Sequence, residues 1–430
     1  MRGMLRRVRG YLGKIFALDA LAEGALPEDR EDPDVPVARV WMSALLMLVV
    51  GQRSLRQFDE MMKRCHGKGA GGRPAGAPSE RTVRRVFEWL RLDALRELVK
   101  VMTRTLRRNK TPLAAAGARG LVAVAIDGKE VFASGLRKCE DCLERTVWTV
   151  DRKTGEKRSH TEYYHRVAVC FLIDCLIPLL LDVEMVRPGE GELAAGRRLL
   201  RRVLKNHPRL FDVVSADALY GDKEFLQMIL KARKRFVVTL KDDRRDAYDE
   251  ADRLRKLVEP ATWGDRDRKC RVWDIPDIRP WWKAPGVRLR VVWSDEKVRQ
   301  PAPGRRRRGE SAWVDSTWVW LTDIPSSLGP ARLIWRFGHR RWHIENRCFH
   351  EGVREWGFDH CFHHHPNAIC AFLMTMSVAM ILVHTFLKRN LKEALRKLYT
   401  IATLRADFLG DFGRGFSWAE WVRGLSANGP

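Results

Sequence analysis

The sequence lacks a disulfide framework: its nine cysteines are odd in number, scattered over 430 residues, and only Cys139 and Cys142 form a CxxC pair. That pattern excludes a small stapled secreted scaffold and fits reduced thiols in a cytosolic protein. With Cys361 and the run His363, His364 and His365 the pair could be assembled into a zinc site, but no second CxxC accompanies it, and solvated loop residues are the expectation. Acidic residues are in deficit as well. Asp and Glu number 54 against 79 Lys and Arg, a net charge of +25, so the expected partner is polyanionic. Internal repeats are not evident. The amino-terminal stretch MRGMLRRVRGYLGKIFALD shows neither a lipidation motif nor the long uninterrupted apolar core of a signal peptide.

What is present describes a globular chain rather than a disordered polycation: 45% of residues are hydrophobic alongside 31% charged. Nucleic acid is the first candidate partner, because basic side chains gain affinity by displacing counterions from phosphates. A membrane surface would usually need an amphipathic basic helix or a lipid anchor besides. The run from Ala368 to Leu387 is long enough to span a bilayer. Thr375, Ser377, His384 and Thr385 interrupt it, so the expectation is a buried helix and no membrane partner.

Residues 1–118 read as a helical DNA-binding region. Ser79 can cap a helix in which Val83, Val86, Phe87 and Leu90 recur at helical spacing, while Arg81, Arg84 and Arg85 occupy the opposite face, as DNA contacts or as a solvated basic face. From residue 119 to 258 short apolar runs such as LVAVAID, FDVVSAD and RFVVTLKDD alternate with helical stretches, which predicts an α/β domain with a mixed sheet whose later strands are parallel. Residues 259–325 hold many tryptophans in alternating runs and read as a mainly antiparallel β insertion. Its tip, RQPAPGRRRRGE, carries Arg305, Arg306, Arg307 and Arg308, which could track a phosphate backbone or simply be solvated. Residues 326–395 complete the α/β domain with a helix that bears Glu345 and a buried helix, and 396–430 form a tail.

Three carboxylates fall where a metal-dependent phosphoryl-transfer site needs them: Asp127 and Asp217 at predicted strand ends and Glu345 on a later predicted helix. Such hard oxygen ligands suit Mg²⁺, with Mn²⁺ as a substitute, and a pair of ions can serve an in-line displacement. Singly each is weak, since an aspartate at a strand end is more often a turn former or helix cap. Their surroundings add to the signal. AIDGK, SADALYGDKEF followed by FVVTLKDD, and FGHRRWHIENRCFHEGVREWGFDHCFHHHPNAI occur in that order, and together they resemble DDE transposases of bacterial insertion sequences, in particular the group with a β-rich insertion before the last catalytic residue.

The resemblance implies an RNase H-like core with Asp127, Asp217 and Glu345 as the catalytic, metal-binding triad. Arg341, Trp342 and Asn346 match the last motif. Arg341 stands four residues before Glu345, a spacing that would set both on one helix face with the guanidinium clamping a DNA phosphate. Core packing is the expectation for Trp342. The chain departs from the family at Gly338, where a tyrosine is common, and at Gly352 and Val353, where a lysine is common; Arg354 is the nearest cation. Lys129 and Lys241, near strand ends, could meet phosphates or be ordinary surface lysines. Packing and helix capping account for Tyr220 and Asp222. The implied function is a transposase that cuts element ends and transfers the 3′-hydroxyls into target DNA. Its implied partners are double-stranded DNA and a second copy of the chain in the synaptic complex, in the cytoplasm at the nucleoid. A nuclease on the same fold and a non-catalytic DNA-binding derivative are the alternatives.

Overall fold

In the computed structural model, which describes residues 3–66, 72–114, 118–151, 154–241, 245–283, 286–301 and 311–425, the amino-terminal region is helical. Its elements are α1 (Met4–Phe16), α2 (Leu18–Ala25), α3 (Val37–Val49), α4 (Leu55–His66), α5 (Glu80–Trp89) and α6 (Leu92–Arg108). Ser79 caps α5 as expected, its hydroxyl accepting the Thr82 N–H at 3.1 Å, and Val83, Val86 and Phe87 are buried. Then follow β1 (Ala123–Ser134), β2 (Leu143–Val150), β3 (Lys157–Ile173), β4 (Leu179–Met185), α7 (Glu192–Asn206), β5 (Val213–Ala216), α8 (Lys223–Lys231), β6 (Arg235–Thr239) and α9 (Arg245–Arg255). The tryptophan-rich stretch folds as β7 (Ala261–Gly264), β8 (Arg268–Ile278), β9 (Leu289–Pro301) and β10 (Ser311–Thr322). Beyond it lie α10 (Ala331–Arg340), the π-helical segments Ile344–His350 and Gly352–Trp356, and α11 (Pro366–Thr385), with shorter helices in the tail. Arg305, Arg306, Arg307 and Arg308 lie outside the described residues.

The chain divides into two units interleaved in sequence. One holds residues 1–113, 128–206 and 344–430. Its centre is α11, in which every residue from Ala368 to Thr385 is buried, packed by α3, α5, α6 and β4. Burial of the apolar side chains supplies the main stabilisation, and each polar interruption must then find a partner inside. Thr375 accepts the Trp41 indole N–H at 3.0 Å, Ser377 donates to the Leu180 carbonyl at 2.5 Å, and His384 Nε2 lies 2.6 Å from Glu351 Oε1. Phe87 stacks on Phe372 with centroids 4.3 Å apart. This is one helix long and apolar enough to cross a membrane, and its apolar window is enclosed by protein. Strands β2, β3 and β4 pair antiparallel in this unit.

The other unit holds residues 114–127 and 207–343. Its sheet runs from the first residues of β1 through β5 and β6, which are parallel, to β10, β9, β8 and β7, which are antiparallel. The α8 crossover makes the β5–β6 link parallel, as the helix-linked strand pattern predicts. The β-rich stretch does not stand apart. Strand β10 bonds directly to β6, Leu321 opposite Val238, so these strands widen the same sheet. Residues 319–322 of β10 are buried, whereas 311–315 are exposed where β9 and β10 project past their neighbours.

Candidate active site

The site starts from two short buried strands. All four residues of β5 are buried, as are Ala123 to Ile126 of β1, because parallel strands covered on both faces are largely apolar. Their register sets Ala123 opposite Val213 and Ile126 opposite Ala216. Asp127 and Asp217 are the next residues of each, so the two acidic residues follow neighbouring parallel strands at one sheet end, with the strand backbones about 5 Å apart. Ligands in open α/β sheets bind at such carboxyl ends.

Asp127 is 8% exposed, and its Oδ2 accepts from Arg341 at 2.9 Å. The guanidinium offsets the charge of the buried Asp127 carboxylate. Asp217 is half-buried; its Oδ1 accepts the Leu219 N–H at 3.0 Å and so caps the short turn Ala218–Tyr220. Capping and membership of the carboxylate pair coexist there. Tyr220 is fully buried and Asp222 caps α8, accepting from Phe225 N at 3.0 Å, as expected. Lys241 is exposed beyond β6.

Arg341 owes its position to α10. Ser215 donates to the Phe337 carbonyl at 3.3 Å, tying that helix to β5 just before Asp217. His339 sits among Trp318, Trp320 and Trp335, with ring centroids 5.3, 5.0 and 4.7 Å away. Its Nε2 lies 2.7 Å from Glu296 Oε1, which also accepts from Trp335 at 2.8 Å and Ser294 at 2.9 Å, while Arg268 holds Oε2 at 3.0 Å. Burial by itself would raise the Glu296 carboxyl, but these hydrogen bonds, led by His339, outweigh it and hold the group below the usual carboxylate range. Gly338, the departure from the resembled motif, has a packing cause: a Cβ there would come within 2.1 Å of the Trp320 indole.

Two expectations need correction. Trp342 is 41% exposed rather than core, and its ring lies under the Arg341 guanidinium at 5.0 Å. Arg341 and Glu345 do not share a continuous α-helical face: α10 ends at Arg340, Arg341 and Trp342 form a turn, and the chain resumes as a π-helix from Ile344. The turn interrupts the helix between the two residues, so their four-residue spacing is not a spacing along one α-helix.

In the other unit, Glu345 is half-buried in the first turn of that π-helix, whose Arg347 donates to the Cys175 carbonyl at 2.6 Å. Lys129 lies over the Phe349 ring at 5.7 Å. Arg354 is exposed and paired with Glu355 at 2.8 Å, and a Cβ at Gly352 would meet Phe358 at 2.9 Å, which leaves a lysine there no room. Arg84 donates to the Phe362 carbonyl at 2.8 Å and Arg85 is exposed. Glu351, the nearest other carboxylate in the motif, is engaged by His384 and by the Trp356 indole at 3.2 Å. One residue escaped the sequence reading. Glu192, at the start of α7, lies so close to Gly128 that a Cβ there would be 1.9 Å from its carboxylate, and Arg166 stands 3.5 Å from it. Its only sequence signal was a glutamate at a helix start.

Residues 120–382 match the family described as the transposase DDE domain. The chain belongs to the DDE transposase family. The matched span covers more than half of the chain and includes Asp127, Asp217, Arg341 and Glu345. No curated protein matches it. The mixed sheet with its helices is the RNase H-like α/β fold, joined to a helical amino-terminal region. A DDE transposase is a transposition enzyme acting on DNA, and the family generally uses divalent metals. The donor set fits such ions: hard carboxylate oxygens at one sheet end, with Arg341 supplying positive charge to Asp127.

Proposed function

We propose that the chain hydrolyses phosphodiester bonds at the ends of its mobile element and joins the freed 3′-hydroxyls to target DNA. The supporting observation is the ion pair of Arg341 with Asp127, in register beside Asp217, inside the family match. Asp127, Asp217 and Glu345 would hold Mg²⁺, or Mn²⁺ in its place. When bound, such ions neutralise charge on the leaving oxygen and acidify the attacking water or hydroxyl. The chain's own residues position the DNA. Arg341 presents a planar guanidinium suited to a phosphate, and the exposed Trp342 beside it offers a ring face to a base. Lys129, Lys241, Arg354, Arg84, Arg85 and the arginines 305–308 add basic contacts along the duplex, and residues 1–118 bind the element ends. Two ends must be held together, so the working form is a homodimer in the synaptic complex.

The test is a paired-end DNA substrate incubated with the full chain and Mg²⁺. Cleaved ends and strand-transfer products, both abolished by EDTA, are expected. Cleavage without joining would make the chain a nuclease, and end binding without cleavage would make it a non-catalytic DNA-binding derivative; either result overturns the reading.

A further inference from the structure

We infer that Cys139, Cys142, His165 and His364 form a structural zinc site, separate from the catalytic carboxylates. Their ligand atoms all lie within 4.8 Å of one another. Cys139 Sγ and Cys142 Sγ are 3.7 Å apart, His165 Nε2 is 3.4 and 3.6 Å from them, and His364 Nε2 is 3.2 Å from Cys142 Sγ. With Zn–S of about 2.3 Å and Zn–N of about 2.0–2.1 Å, a tetrahedron requires S···S of about 3.8 Å and S···N of about 3.6 Å. These four separations match those figures to within a few tenths of an ångström, and the remaining pairs lie within 4.8 Å. The sulfur separation is far too long for a disulfide of about 2.05 Å. Two thiolates and two imidazoles select zinc over Mg²⁺, and with four protein ligands no open position remains for chemistry.

The surroundings are those of an anchored knuckle. Cys142 N–H donates to the Cys139 carbonyl at 3.2 Å and Cys139 N–H points to Cys142 Sγ at 3.3 Å, so the CxxC backbone already forms a turn around its sulfur. His165 is fully buried, with Nε2 facing the sulfurs and Phe132 flanking both imidazoles at 6.0 and 4.8 Å. The expectation of solvated loop residues fails for this set. Of the other histidines in the run, His363 pairs with Glu88 at 2.6 Å, and His364 is the one turned to the thiols.

Position explains the need. Leu143 pairs with Tyr164, so Cys142 and His165 sit at the base of the β2/β3 hairpin, whose outer residues are mostly exposed. Strand β3 also bonds to β1, but the outer part of the ribbon buries little apolar surface, and an ion at its base would clamp it to the segment leading into α11. The ligands come from three distant stretches of chain, so one ion would close long loops.

The experiment uses the full chain, purified without a histidine tag. Elemental analysis should give about one tightly held zinc per chain. Cobalt substitution should give the thiolate charge-transfer and ligand-field bands of a tetrahedral two-sulfur site. The Cys142→Ser/His364→Ala double variant should lose both signals, while Cys361→Ala and Asp217→Asn keep them. Zinc release by a mercurial should speed amide exchange in the β2/β3 hairpin and leave β5 and β6 unchanged. Folded wild-type chain with no stoichiometric zinc, with free or disulfide-linked Cys139 and Cys142, overturns the site, as does loss of metal in Asp217→Asn or Cys361→Ala. Because the wild-type measurement needs no variant, a misfolded double variant does not blunt the test. None of these readouts depends on transposition.

Discussion

Arg341 donates to Asp127 at 2.9 Å, and both side chains are about nine-tenths buried. A charge pair in that setting is held by its partner more than by water, and removing one member strands the other. The pair therefore couples the first acidic strand end to the helix that follows the β-rich strands.

Replacing Arg341 with Ala should lower stability by about 3 kcal/mol in EDTA, because the buried Asp127 carboxylate loses its cation. Added Mg²⁺ should restore much of that loss, since an ion bound only by the native state stabilises it, and Arg341→Lys should fall between. Urea unfolding with and without Mg²⁺ measures this. A loss that Mg²⁺ does not touch would mean that the Asp127 carboxylate is not a metal ligand.

Glu345→Gln and Asp217→Asn each keep shape while removing a charged oxygen donor. Cleavage should fall by at least about 10²-fold in Mg²⁺, while binding of element ends, measured by fluorescence anisotropy, should stay near the wild-type value. Wild-type cleavage by Glu345→Gln would remove Glu345 from the triad. Glu351 is a poor replacement, being committed to His384 and Trp356.

Gly338→Ala tests the contact with Trp320. Alanine in a helix normally gains about 1 kcal/mol over glycine, yet a Cβ here would lie 2.1 Å from the indole. A net loss of about 1–3 kcal/mol is expected from overpacking, relieved in the Gly338→Ala/Trp320→Leu double variant. A stabilised single variant would show that the indole yields freely.

The buried Glu296 carboxyl sets an acid limit. Its folded-state pKa is depressed, so the stability it contributes is present above the unfolded value of about 4.3 and is lost as pH falls through the folded value. Glu296→Gln should cost about 1–3 kcal/mol at pH 7 and flatten the decline of the urea midpoint below about pH 4.3. An unchanged acid slope would move the acid lability to other carboxylates.

Much of this was legible in the chain. Parallel strands buried on both faces are continuous apolar runs, so AVAID and VVSAD announce themselves together with the acid that ends each. The alternating tryptophan-rich runs marked antiparallel strands, although periodicity does not say which strand they join, and β10 pairs with β6. Trp342 read as core because tryptophan is usually buried, but it follows the end of α10 and lies outside. The turn at Arg341 and Trp342 broke the continuous α-helix that the four-residue spacing to Glu345 presumed, and nothing in that spacing marked the break.

The sequence by itself determined the polyanionic partner, the α/β class, the strand-end aspartates and the family motif, because these rest on composition, local periodicity and order along the chain. Only the tertiary structure decided what meets what. Register set Asp127 beside Asp217, a buried ion pair chose Arg341 for Asp127, and packing brought His364 to a CxxC more than half the chain away while leaving Cys361 and His363 aside. Such meetings depend on the closure of long loops and on which buried polar groups find partners, and neither is written in the spacing of residues.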